Sequence, residues 1–181
     1  MKSVVVYYSH TGNNRYLAEK TALALNSEAI EIHPRFSAFP FLVLSSLTKL
    51  SSGIRKIDKD FSSYDSVILC GPIWMGQIVS PLNDFLKKYI SQINRLHFIT
   101  CCGSKDSTKE DKFGYSHVFR KLKEMIGKKA GLMEAFPIEL ILPAEDKEND
   151  QAMMEARLSD RSFNEEIKAR LEAFAGKLTA S

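Results

Sequence analysis

Cysteine is scarce in this chain, and what there is stands badly placed for cross-linking. Cys70, Cys101 and Cys102 are the whole complement. An odd number with one adjacent pair supports neither a disulfide framework nor a Cys-x-x-Cys spacing. The setting implied is reducing and cytoplasmic. The four histidines are scattered and form no ligand pattern, so no metal is expected. No apolar run approaches the roughly 18–20 residues that a membrane helix needs. The longest candidate, 36–50, is interrupted by Pro40, Ser45, Ser46 and Lys49. A secretory signal is not expected, because only Lys2 precedes the first apolar run and polar residues follow at once.

Other absences narrow the chemistry. There is no Gly-x-Gly-x-x-Gly, so no separate dinucleotide-binding unit is expected. There is no Gly-x-Ser-x-Gly elbow, which argues against a hydrolase. A phosphatase or response regulator would want acids at the end of the first strand, where Tyr8-Ser9-His10 stands instead. Charge of one sign is also lacking. The net charge is only +3, and lysines mix with acids as in Lys105-Asp106, so a nucleic-acid face is not expected.

What is present suits a soluble α/β domain. The 181 residues are most simply one domain, 1–181, and 44% hydrophobic residues suffice for its core. Val4-Val5-Val6-Tyr7-Tyr8 is a β-branched and aromatic run leading into the polar loop Ser9-His10-Thr11-Gly12-Asn13-Asn14. Helical spacing over 13–25 then puts Leu17, Thr21 and Leu25 on one face, beside Ala18 and Ala22. An edge strand is expected over 29–32. A helix is expected over 39–50 with Leu42, Val43, Leu47 and Leu50 inward, stopped by Ser51-Ser52-Gly53. That helix either covers the sheet or uses Phe36, Phe39 and Phe41 to shape a binding mouth or partner surface.

Two short apolar runs, 66–70 and 96–101, have the composition of strands buried on both faces. Between them Ser80 and Pro81 read as N-cap and first position of a helix with Leu82, Phe85, Leu86 and Tyr89 inward. A further amphipathic helix carries Val118, Phe119, Leu122, Met125 and Ile126. A last strand spans 133–142. Two closing helices are expected near 149–158 and 163–178, the second opened by a capping box at Ser162 and Glu165.

The resulting β-α alternation predicts a doubly wound α/β fold. Its five-stranded parallel sheet would have the order 2-1-3-4-5 in a three-layer α/β/α arrangement. In such sheets ligands bind beyond the carboxyl ends of the strands, where the order reverses. That rule brings together the loops 9–14, 71–77 and 101–104. A strand, a hydroxyl- and amide-rich turn and a helix start form a ready phosphate site.

Tyr8-Ser9-His10-Thr11-Gly12-Asn13-Asn14 resembles the phosphate loop of the flavodoxin family. Gly71-Pro72-Ile73-Trp74-Met75-Gly76, followed by Ser80-Pro81-Leu82-Asn83-Asp84-Phe85-Leu86, resembles that family's second flavin loop and next helix. Thr100-Cys101-Cys102-Gly103-Ser104 is similar to its third loop, also found in related quinone reductases. The resemblance covers the element order of nearly the whole chain and implies FMN as cofactor.

The residues then take physical roles. Ser9 and Thr11 offer hydroxyls and Asn13 and Asn14 amides to the phosphate, while Gly12 lets the backbone approach. His10 and Arg15 could add positive charge. Trp74, the single tryptophan, suits the face of a flat ring, with Ile73 and Met75 as further walls. Gly76 would let its peptide turn cheaply toward the flavin. One of Cys101 and Cys102 would pack while the other lends a backbone N–H to the pyrimidine edge. A redox-active thiol pair with Cys70 is the alternative.

Two departures from the family pattern matter. The third loop has no aromatic to cover the outer flavin face, a place that Phe113 or Tyr115 could take. The chain is slightly basic, whereas electron-carrier flavodoxins are strongly acidic. The resemblance thus implies a flavoprotein of electron transport, working with a redox partner protein or small-molecule acceptor. An NAD(P)H-dependent quinone reductase is the alternative oxidoreductase, with the nicotinamide stacking directly on the flavin. A flavin-free partner-binding module on the same fold is the third reading.

Overall fold

The computed structural model describes residues 1–48, 50–103 and 114–180. Its centre is a parallel sheet of β1 (Ser3–Tyr7), β2 (Glu28–Glu31), β3 (Ser66–Cys70), β6 (Leu96–Cys102) and β7 (Ala130–Pro137), in the order β2-β1-β3-β6-β7. The two remaining strands, β4 (Ile73–Trp74) and β5 (Gln77–Ile78), form a separate antiparallel ribbon. Without that ribbon the order is the expected 2-1-3-4-5. Among the described residues six helices accompany the sheet: α1 (Asn13–Ala24), α2 (Phe39–Thr48), α3 (Ser80–Tyr89), α4 (Tyr115–Ile126), α5 (Asp150–Glu155) and α6 (Glu165–Thr179).

Strand alternation explains the two cores. Successive side chains point to opposite faces of a strand. Val4, Val6, Val67 and Leu69 therefore meet Leu82, Phe85, Leu86, Val118 and Leu122 on one side. Val5, Tyr7, Ile68 and Cys70 meet Leu17, Ala18, Ile167, Leu171 and Phe174 on the other. Both faces of the central strands are covered, which is why their sequences are continuous apolar runs. Phe61, Phe85 and Tyr89 form an aromatic cluster with centroids 5.1–5.3 Å apart.

Several local expectations are corrected. Helix α2 turns Leu47 outward and buries Ser45 and Ser46 instead, and Leu50, which follows the helix, is exposed as well. The serines satisfy themselves through the carbonyl of Leu42 and through α3. Ser80 is the first helical residue, not the cap. The cap position is Val79, and the hydroxyl of Ser46 accepts the Ser80 N–H at 2.9 Å. Met125 is exposed on α4, while Val118, Leu122 and Ile126 face inward.

Strand β7 ends at Pro137, and a 3₁₀ turn, Ile138–Ile141, replaces its expected second half. Proline has no N–H for the ladder, so pairing stops there. Asn164, not Ser162, caps α6 by accepting the Ile167 N–H at 3.1 Å. Between β6 and β7 the register slips after Leu96. His97 answers that slip: its Nδ1 accepts the Leu132 N–H at 2.9 Å.

Candidate functional site

The carboxyl ends of β1, β3 and β6 lead into one cavity of about 720 Å³. Of the residues expected at a site, His10, Thr11, Asn13, Asn14, Pro72, Ile73, Trp74, Cys101, Cys102 and Gly103 line it. The three loops are therefore brought together as the strand order demands. Ser9, Gly12, Met75 and Gly76 support the lining without joining it. The Gly12 N–H donates to the Ser9 hydroxyl at 3.1 Å, so Ser9 shapes the loop from within. Ser104 and Phe113 lie outside the described residues. Tyr115 begins α4 and packs on Phe119, 5.7 Å between centroids, and is not among the lining residues.

The floor of the cavity is the start of α1. Gly12 stands at the cap with φ of 95°, a conformation that favours glycine, and no side chain caps the helix. No acid occupies the first turn. A Cβ placed on Gly12 would meet nothing within 4 Å. An uncapped helix start beside open space keeps its N–H groups and its positive dipole end available to an anion.

The two asparagines that open α1 do a different job from the one expected. Asn14 is buried, and its amide reads both sides of one peptide position on β6. Its Oδ1 accepts the Cys101 N–H at 2.8 Å, and its Nδ2 donates to the Cys101 carbonyl at 3.0 Å. Asn13 does the same across the exit from α5. Its Nδ2 donates to the Ala156 carbonyl at 3.1 Å, and its Oδ1 accepts the Leu158 N–H at 2.9 Å. Their side-chain amides are thus committed to holding three segments in register.

Between those two anchor points sits Arg157, a lining residue that the sequence did not announce. Its Nη1 donates to the carbonyls of Met154 and Ala156 at 2.7 and 2.9 Å. Arg15, by contrast, turns to Glu31 at 2.9 Å and does not line the cavity. Ile138, Asp150, Met153 and Met154 complete the side formed by the chain after β7. No local motif marks these residues. Only their place after the last strand, at the same end of the sheet, could have found them.

The opposite side is aromatic. The His10 ring stacks on Phe39 with centroids 4.5 Å apart and planes 17° from parallel. Trp74 meets both edge-on, at 6.0 Å from His10 and 5.6 Å from Phe39. Trp74 is carried on the ribbon β4–β5, whose tip residues Met75 and Gly76 both have positive φ, 49° and 74°. Two-residue hairpin turns of the I′ kind need that sign at both positions. Glycine adopts it freely, whereas Met75 is unusual there and stands exposed at the tip.

Cys70 and Cys101 are poorly suited to redox chemistry of their own. Burial pushes the Cys70 thiol well above the usual thiol range, with Cys101 adding to the shift. Burial, with a smaller contribution from Cys102, likewise pushes Cys101 up. Since the thiolate is the reactive form, both positions are held inert. Cys70 instead points its Sγ at the Asn14 carbonyl, 3.3 Å away.

Comparison with known proteins fits this architecture. A sequence-family model for the flavodoxin domain matches residues 45–144. No match is found among curated protein sequences. Among solved structures, a Bacteroides eggerthii protein assigned as a flavoprotein is similar with a TM-score of 0.63 at 17% identity, over 75% of this chain and 87% of that one. A flavoprotein from Lactobacillus acidophilus, in complex with FMN, is similar with a TM-score of 0.55 at 18% identity, over 83% of this chain and 97% of that one. An NAD(P)H:quinone oxidoreductase from Methanothermobacter marburgensis gives 0.50 at 14% identity, over 86% of this chain and 92% of that one. At these identities the likeness is one of fold.

Proposed function

Because the chain belongs to the flavodoxin domain family, we propose that it binds FMN in the cavity at the head of α1 and transfers electrons through it. Residues 1–181 act in this reading as one flavodoxin-like domain. The observation that carries it is the uncapped start of α1, open to a cavity with an aromatic wall. A terminal phosphate suits the first; a flat ring suits the second. The structural relative from Lactobacillus acidophilus was solved with FMN, which supports the same choice.

FMN, when bound, supplies one- and two-electron transfer, and the protein supplies position and electrostatics. In this reading the backbone N–H groups of Asn13 and Asn14 and the Thr11 hydroxyl meet the phosphate. Gly12 admits it, and Arg157 adds a fixed positive charge at the cavity edge. Trp74 takes a face of the ring, with Pro72 and Ile73 beside it and Met75 and Gly76 holding the ribbon in shape. Cys101 has its N–H bound to Asn14, which leaves the distal end of the third loop, at Gly103, to meet the pyrimidine edge. Cys102 packs beneath it.

The test is direct. The purified protein should be yellow, or its apo form should quench FMN fluorescence on titration. A colourless protein that takes up no FMN would refute the reading and favour a flavin-free binding module.

A second reading, the NAD(P)H-dependent quinone reductase, draws on the apolar side formed by Ile138, Met153 and Met154, which offers a surface for a second flat ligand. It is separated from the carrier by NAD(P)H oxidation with a quinone present. Prompt turnover by the protein alone supports the enzyme. Dependence on an added reductase supports a carrier between partner proteins. Among the described residues no helix is long and apolar enough to cross a membrane.

A further inference from the structure

Helix α2 is packed the wrong way round. Ser45 and Ser46 are each 1% exposed, while Leu44 is 55% and Leu47 43% exposed. Leu42 alone of the segment's large apolar residues is fully buried, while Phe36, Phe39, Leu44, Leu47 and Leu50 all belong to the exposed set. An isolated surface leucine needs no explanation, but a run of five large apolar groups on one segment does. The inversion is built in. Ser46 accepts the first N–H of α3, and the Ser45 hydroxyl lies 2.8 Å from that of Ser80. Ser45 and Ser46, beside Leu42, thus form the docked face, while Leu44, Leu47 and Leu50 stand open to solvent.

Charge says what should cover it. In a chain with 22 acidic residues, none occurs between Glu31 and Asp58, while Arg35, Lys49, Arg55 and Lys56 do. The two ends of the segment are laced together at its base. The Arg35 N–H donates to the Gly53 carbonyl at 2.9 Å, the Arg55 N–H to the His33 carbonyl at 2.9 Å, and Pro34 bridges Ile54. Ile54 points into the core, so the alternation sends Arg35 and Arg55 outward, where both are exposed. Neither forms an ion pair with a described residue. An outward apolar helix with an acid-free basic base is the composition of a segment that lies on an anionic lipid surface.

We propose that α2 and the paired chain ends at its base, which carry Arg35 and Arg55, dock the protein on anionic membranes as a peripheral surface contact. Phe39 belongs both to this face and to the cavity lining. Docking therefore sets the cavity mouth at the lipid surface, within reach of lipid-dissolved molecules. The surface proposal stands whether or not the cavity holds FMN.

The experiment is co-sedimentation of the full chain with vesicles of phosphatidylcholine alone and of equal parts phosphatidylcholine and phosphatidylglycerol. The protein should pellet with the mixed vesicles and stay in solution with the neutral ones, and added salt should release it. Leu44→Ser with Leu47→Ser should abolish pelleting, since neither residue supports the core or the cavity. Arg35→Glu with Arg55→Glu should weaken it by about 25-fold or more, from the loss of two basic contacts. Circular dichroism of both variants should match the wild type.

Failure of the wild type to pellet with mixed vesicles would overturn the proposal, as would unchanged pelleting of either variant. Sedimentation equilibrium decides between lipid and a second copy. A wild-type dimer that Leu44→Ser with Leu47→Ser converts to a monomer would show that another chain covers this face, and would also overturn it.

Discussion

Asn14 and Cys101, 87 positions apart, are joined by two hydrogen bonds that engage both ends of one carboxamide. The clasp fixes the start of α1 against the end of β6, so the first and third loops of the cavity cannot drift apart. Removing it leaves a buried N–H and a buried carbonyl with no partner, each costing about 1–3 kcal/mol. Asn14→Ala should therefore lower unfolding free energy by roughly 2–4 kcal/mol, read by urea denaturation. Asn14→Asp keeps the acceptor but loses the donor and buries a charge, and should do no better. A variant of unchanged stability would mean that water replaces the amide.

Ser46 should matter more to α3 than to its own helix. Its hydroxyl accepts the N–H of Ser80 at a helix start whose cap position, Val79, has no side-chain acceptor. Ser46→Ala should cost about 1–2 kcal/mol, the usual range for a lost N-cap. Ser46→Thr, which retains the hydroxyl, should recover much of that. Equal losses in the two variants would assign the effect to packing.

Such a contact shows where sequence reasoning reaches and where it stops. The sheet order was readable because 4–8, 66–70 and 96–101 are buried on both faces, which leaves continuous apolar runs in the sequence. The meeting of the three loops followed from that order. Periodicity placed Leu42 correctly but misplaced Leu47 and Leu50, because it assumes that apolar means inward; beside Leu42 the buried positions belong to Ser45 and Ser46, which engage a helix 34 residues away. Asn13 and Asn14 were legible as site residues, but their partners 143 and 87 residues away were not. Arg157 carries no motif at all. Its position is set by the chain's return past β7, a tertiary fact.

His97 couples the sheet to pH. Its Nδ1 accepts from Leu132 and its Nε2 lies 3.3 Å from the Ser66 hydroxyl, so the ring is held neutral with the proton on Nε2. Burial, aided by the nearby Arg95 charge, lowers its pKa to about 4 from the ordinary 6.5. The unfolded chain therefore binds a proton more readily than the folded one between those values. The stabilisation is complete above pH ~6.5 and is lost as pH falls toward ~4. Unfolding free energies from urea denaturation at pH 7 and 4.5 should differ by about 2 kcal/mol more in the wild type than in His97→Gln. An identical pH dependence in the two proteins would place the titration elsewhere.

Arg157 offers the sharpest separation of phosphate from ring. Asn13 grips the chain on both sides of it, and its guanidinium is tied to two carbonyls, so its charge is fixed beside the start of α1. A charge-assisted contact of this kind contributes about 1.5–3 kcal/mol. Arg157→Ala should thus weaken FMN binding by roughly 10- to 100-fold. Riboflavin, which has the same ring and no phosphate, should bind the variant as it binds the wild type. The wild-type preference for FMN over riboflavin should shrink as salt rises, while that of the variant should respond less. Fluorescence titration of both ligands reads all of these. Equal losses for FMN and riboflavin would instead assign Arg157 to the ring side of the cavity or to the hold on α5.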